Sequence, residues 1–149
     1  MEDYDENEIY HEMYIHFLWS TKNQRPVISS SIIKNLWLHI YEVALSYDCH
    51  LIGGQIFNDH IQLIIKITPD IAVADLITTL KTASALWIRT NCLDLKNFEW
   101  QKSDFAFTSG YEQLDALLKK IKNTQHFIDE VHALLNENEI QYELQEVLE

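Results

Sequence analysis

Two apolar, β-branched runs, Leu51 to Phe57 and Ile61 to Ile67, are separated only by Asn58-Asp59. Runs of this length and composition are strands, and a two-residue polar break between them leaves room for a tight hairpin and nothing else. Whatever surrounds this pair must therefore supply an antiparallel sheet. Tyr14-Ile15-His16-Phe17-Leu18-Trp19-Ser20 has the same β-rich character and reads as an earlier strand, followed by a polar loop from Thr21 to Arg25 that Pro26 ends. Ser29, Ser30 and Ser31 offer N-caps for a helix whose inner face is Ile32, Ile33, Leu36, Ile40, Val43, Ala44 and Tyr47, with a polar stop at Asp48. Pro69 and Asp70 open a second helix with the face Val73, Leu76, Ile77, Leu80, Ala83, Ser84, Trp87 and Ile88.

Phe98 to Thr108 reads as a further, aromatic strand. Gly110-Tyr111 lead into a third helix through Leu114, Leu117, Leu118 and Ile121, and a last helical stretch runs from Phe127 to Asn136 before Ile140-Gln141-Tyr142. The order β-α-β-β-α-β-α is that of an α+β, ferredoxin-like split βαβ domain, with an antiparallel sheet and helices on one face. A doubly wound nucleotide-binding fold is excluded, since it needs alternating parallel units, and no Gly-rich phosphate loop occurs.

Charge divides the chain into three parts. Of the 23 acids, six lie in residues 1–12 and seven in residues 129–149, stretches without Lys or Arg. Ten acids then face all 11 bases in residues 13–128, so the net charge of −12 belongs to the ends. We read residues 1–12 as an acidic N-terminal tail, 13–128 as the folded domain and 129–149 as an acidic C-terminal helix and tail. A near-neutral middle neither demands a polyanionic partner nor excludes a local phosphate site. Cys49 and Cys92 form no disulfide framework or CxxC pair, as in a reduced compartment. No apolar run spans a bilayer and the N-terminus lacks a secretory pattern, so the expected location is the cytoplasm.

Alternation along a strand puts residues i and i+2 on one side, so His60 and Gln62 point together, with Asp59 beside them in the turn. Two histidines at this spacing would offer two imidazoles to one divalent ion. Here the second donor is an amide, which binds Mg²⁺ or Mn²⁺ weakly at best. A turn histidine next to a solvent-facing glutamine would give the same spacing.

The wider sequence resembles the single-tyrosine HUH transposases of bacterial insertion sequences, in their short, repeat-associated branch. The resemblance is carried by Tyr14-Ile15-His16 with Ser20 to Pro26, by Asn58-Asp59-His60-Ile61-Gln62-Leu63, and by Asp75-Leu76 with Lys81 to Ile88. It continues through Phe98 to Gln101, Phe105 to Ser109, and Phe127 to Glu143. It implies a homodimeric, transposase-like fold that binds single-stranded or hairpin DNA. It also implies a divalent metal that polarises the scissile phosphate, and a helix-borne tyrosine that forms a 5′-phosphotyrosine link.

This chain departs from that pattern at each chemical position. Lys120 occupies the tyrosine position, and an amine does not replace a phenolate as phosphoryl acceptor. Thr124 stands where the metal-binding Gln would be, with Gln125 one residue late, and Gln62 replaces a histidine. Tyr111, before the third helix, is the nearest tyrosine to that position. The expected product is a catalytically silent, weakly DNA-binding member, with no resident cofactor beyond residual Mg²⁺ or Mn²⁺ at His60, Gln62 and Gln125. Lys22, Arg25, Lys81, Arg89, Lys119 and Lys122 are the candidate phosphate contacts, and no membrane partner is expected. The alternatives are a non-DNA interaction module that kept only the dimeric scaffold, and an active metal-dependent nickase.

Overall fold

The computed structural model describes residues 10–140. The strands are β1 (Tyr14–Thr21), β2 (His50–Ile56), β3 (His60–Lys66) and β4 (Trp100–Ser109). The helices are α1 (Ser30–Ser46), α2 (Val73–Asn91), α3 (Leu114–Lys122) and α4 (Phe127–Glu137). Ser29 caps α1, its side chain accepting from the Ser31 backbone N–H. The second helix starts at Val73 rather than at Pro69, with Asp75 in its first turn, where it complements the helix dipole. The Ile140-Gln141-Tyr142 segment lies largely outside the described residues, as do positions 1–9.

The sheet order is β2-β3-β1-β4, every neighbouring pair antiparallel. That is the strand order of a split βαβ domain. The Asn58-Asp59 hairpin is tied to the start of the domain, since the Thr21 N–H donates to the Asp59 carbonyl at 2.9 Å and the Ile28 N–H to that of Asn58 at 2.9 Å. Ile15, Phe17 and Trp19 of β1 and Ile61, Leu63 and Ile65 of β3 face α1 and α2, where Leu36, Ile40, Ala44, Leu76, Leu80 and Ile88 complete the main core.

Helices were expected on one face of the sheet, and α1 and α2 occupy that face. The opposite face is covered too. Leu18, Phe105 and Phe107 pack under Phe127, Val131, Leu134 and Leu135 of α4, while Tyr14 and Ile64 pack under Leu114 and Ile121 of α3. This second layer explains why all eight residues of β1 are buried and why β3 shows almost no alternation. The acidic C-terminal segment set at 129 begins inside α4, whose apolar face is continuous with this layer. Among the described residues no helix is long and apolar enough to cross a membrane. Cys49 and Cys92 are both free thiols.

Candidate functional site

The polar residues of the second face converge beneath α3 and α4. His16 pairs across the β1–β3 ladder with Ile64, and Gln62 with Leu18. Residues of one parity on both strands thus share a face, and His16, Gln62 and His60 lie along it. All three are buried, with Gln62 fully shielded from solvent. The solvent-facing reading of Gln62 is therefore wrong, because α3 and α4 cover a face that a bare antiparallel sheet would leave wet.

Their hydrogen bonds form one closed chain. His60 Nδ1 lies 2.6 Å from Asp59 Oδ1. With that nitrogen donating to the carboxylate, His60 Nε2 carries a lone pair, and Gln62 Nε2 donates to it at 3.3 Å. The same amide donates to Thr124 Oγ1 at 3.3 Å, and Gln62 Oε1 accepts from His16 Nε2 at 2.9 Å. Thr124 in turn donates to the Lys120 carbonyl at 3.3 Å, near the end of α3. Burial holds the His16 imidazole down at about 4, outweighing the opposing effect of the hydrogen bond it donates to Gln62, so the ring is neutral near pH 7. Aromatic rings close the sides, with Phe57 stacked 4.2 Å from His60 and Phe127 tilted at 4.9 Å.

These residues do not fit a divalent metal. The His60 lone pair that would hold the ion is occupied by an amide hydrogen, and Gln62 Oε1 is occupied by His16. Among the described residues no three His, Cys, Asp or Glu side chains converge as a metal site. Gln125 is exposed in the connection between α3 and α4, and Thr124 reaches Gln62 in its place.

Lys120 projects from α3 toward α4. Its ammonium lies 3.3 Å from Glu137 and 3.9 Å from Glu130. Burial raises the Glu130 carboxyl above its ordinary range, partly opposed by the Lys120 charge. A cleft of about 350 Å³ opens beside Lys120, with His16 and Phe107 in its lining. Tyr111 packs 6.2 Å from Tyr14 at the far end of β1, six residues from Ser20, the partner of His60. That is about 20 Å along the strand, so Tyr111 is remote from His60.

The candidate phosphate contacts fall into two groups. Lys22 pairs with Glu99 at 2.9 Å, Lys81 donates to Asp104 and to the Gln101 carbonyl, and Arg89 donates to the Phe98 carbonyl at 3.0 Å. These three line one cleft and Arg25 lines the next. Lys119 and Lys122 are exposed on α3, away from both clefts. Trp100 and Phe105, aromatic side chains of β4, are buried rather than presented to solvent as stacking surfaces. His16 and Glu130 were not singled out as site residues. For His16 the available signal was a polar side chain inside an otherwise apolar strand.

Residues 9–124 match the model of the family described as transposase IS200 like. The ISDra2 transposase TnpA of Deinococcus radiodurans is 22% identical over 120 residues, covering 78% of this chain and 86% of that protein. Among solved structures, a protein of Deinococcus radiodurans R1 assigned as a transposase superposes with a TM-score of 0.66 at 20% identity, over 82% of this chain and 97% of the other. A REP-associated tyrosine transposase bound to a REP hairpin superposes at 0.56 with 16% identity, over 81% and 70%. At these identities the structures speak to fold, and the match over residues 9–124 speaks to descent: the chain belongs to the IS200-like transposase family.

Proposed function

We propose that this protein is a DNA-binding member of its family in which strand cleavage has been lost. The observation that carries the reading is the closed chain His16–Gln62–His60–Asp59, which uses for internal hydrogen bonds the atoms a metal would need. Lys120 supports it, since an ammonium engaged with Glu130 and Glu137 offers no oxygen nucleophile. Without nucleophile or metal, what remains useful is the scaffold and its basic clefts. The partner is single-stranded DNA folded into a hairpin, the compartment is the cytoplasm, and the assembly is a homodimer, which sedimentation of the purified chain tests directly.

The test of the reading has two arms. Incubation with a labelled hairpin-containing single strand and Mg²⁺ or Mn²⁺ is expected to give no nicked product; a covalent protein–DNA adduct overturns the inactive assignment. Titration of the same DNA by fluorescence anisotropy is expected to show binding that weakens as salt rises. Absence of binding at low salt favours a second reading, a protein-interaction module. The feature pointing that way is the exposed stripe Leu38, Tyr41 and Leu45 on the outer face of α1.

A further inference from the structure

Six of the 11 basic side chains, Lys22, Arg25, Lys81, Arg89, Lys96 and Lys102, line two clefts of about 730 and 770 Å³. The clefts adjoin, sharing Lys22, Asn23 and Glu99, and only Asp94 and Glu99 bring acids to their lining. In a chain of net charge −12 this is a pronounced segregation of positive charge. The cationic heads are also held in place. Arg89 is fixed by the Phe98 carbonyl and Lys81 by the Gln101 carbonyl at 2.6 Å, so neither has to be ordered on binding. The Glu99 carboxyl is held below its ordinary range by the hydrogen bond from Lys22 and then by the charges of Lys22, Arg89 and Lys102, which places these cations around one anion. Asn23, which lines both clefts, stands in left-handed backbone at φ 60°, its N–H anchored to Gln101 Oε1 at 3.1 Å.

The lysines of α3 are placed differently. Lys120 faces Glu130 and Glu137 of α4, and the cleft beside it shares no residue with the two basic ones. We propose that the double cleft between the 22–25 turn, α2 and the start of β4 is the track for the phosphate backbone of DNA, and that the α3 lysines are not. This rests on the DNA-binding reading above and assigns it a surface. Glu99 then acts as a built-in competitor of phosphate, since its exposed ion pair with Lys22 is weak enough for a phosphate to replace the carboxylate.

The experiment is anisotropy of a labelled DNA hairpin with the full chain across a salt series. It compares wild type with Lys22→Ala/Lys102→Ala, Lys119→Ala/Lys122→Ala and Glu99→Gln, each checked for folding by thermal melting. The first double variant is expected to lose about tenfold or more in affinity and to flatten the log–log salt slope by about 0.7–0.9 per cation removed. Glu99→Gln is expected to bind several-fold tighter, and the α3 double variant to stay within about twofold of wild type. If Lys119→Ala/Lys122→Ala loses affinity while Lys22→Ala/Lys102→Ala does not, or if neither does, the cleft assignment is overturned and DNA binding stands. If wild type shows no salt-dependent binding, the DNA reading itself fails.

Discussion

Gln62 occupies the centre of a buried face, and its amide is bonded on both sides. Its oxygen takes the His16 N–H, and its nitrogen serves His60 and Thr124. Truncation by Gln62→Ala strands two imidazole nitrogens in a dry layer, so a loss of about 2–4 kcal/mol is expected from urea unfolding, more than an exposed glutamine would cost. The reverse experiment is Gln62→His, which places two imidazoles on one strand face. That variant is expected to gain a melting-temperature rise with Mn²⁺, whereas the wild-type melting temperature stays unchanged; a Mn²⁺ shift in wild type contradicts the closed hydrogen-bond chain. His16 makes a further prediction. Its folded-state imidazole, at about 4, lies below its unfolded value, so from about pH 6.5 downward the unfolded chain takes up a proton that the folded ring refuses. Stability is therefore lost as pH falls from about 6.5 to 4, by roughly 2–3 kcal/mol from this group. Glu130 acts with the opposite sign, since its raised carboxyl favours the fold on the acid side. NMR titration of the imidazoles separates the two, and a His16 signal that titrates near 6.5 refutes the burial argument.

At the scale of elements, two contacts decide how the second layer sits on the sheet. Phe127 opens α4 and packs against His60 and Phe105, with ring centres at 4.9 and 6.1 Å. Phe127→Ala is expected to cost about 3–5 kcal/mol in chemical denaturation, because it empties the space under α4 rather than trimming an edge. The other contact is at the glycine pair of β2, where the pairing with β3 shifts register between Leu51 and Gly53. Gly54 has φ 135°, and a Cβ there would stand 2.1 Å from the Gln62 carbonyl oxygen. Gly54→Ala is expected to be destabilising by about 3 kcal/mol or more, since both the backbone conformation and the space forbid it. A Cβ on Gly53 meets only the end of the Leu118 side chain, which can turn away, so Gly53→Ala should be clearly milder in the same assay. The strands and the amphipathic helices were legible from periodicity to within a few residues, with the start of α2 the largest displacement. The role of the glycine pair was not, because nothing local in the sequence reveals a bulge.

For the molecule as a whole, acids outnumber bases 23 to 11 while six of those bases crowd two clefts. Salt should therefore act in opposite directions on two properties. Screening of self-repulsion is expected to raise the melting temperature by a few degrees (about 2–5 °C) between low and moderate salt, while DNA affinity falls over the same range. Parallel melting and anisotropy series check this, and a fall in both would point to stability resting on attractive ion pairs. The antiparallel hairpin and the split βαβ order were legible in the amino-acid sequence alone. Those follow from alternation, helical spacing and residue identity, all of which act over a few positions. It took the folded chain to show that the second sheet face is dry, that His16 joins His60 through Gln62, and that Lys22, Lys81, Arg89 and Lys102 gather at one cleft. Each depends on elements distant in sequence meeting in space, and burial by α3 and α4 is what turns a pair of isolated polar residues into a closed hydrogen-bonded chain.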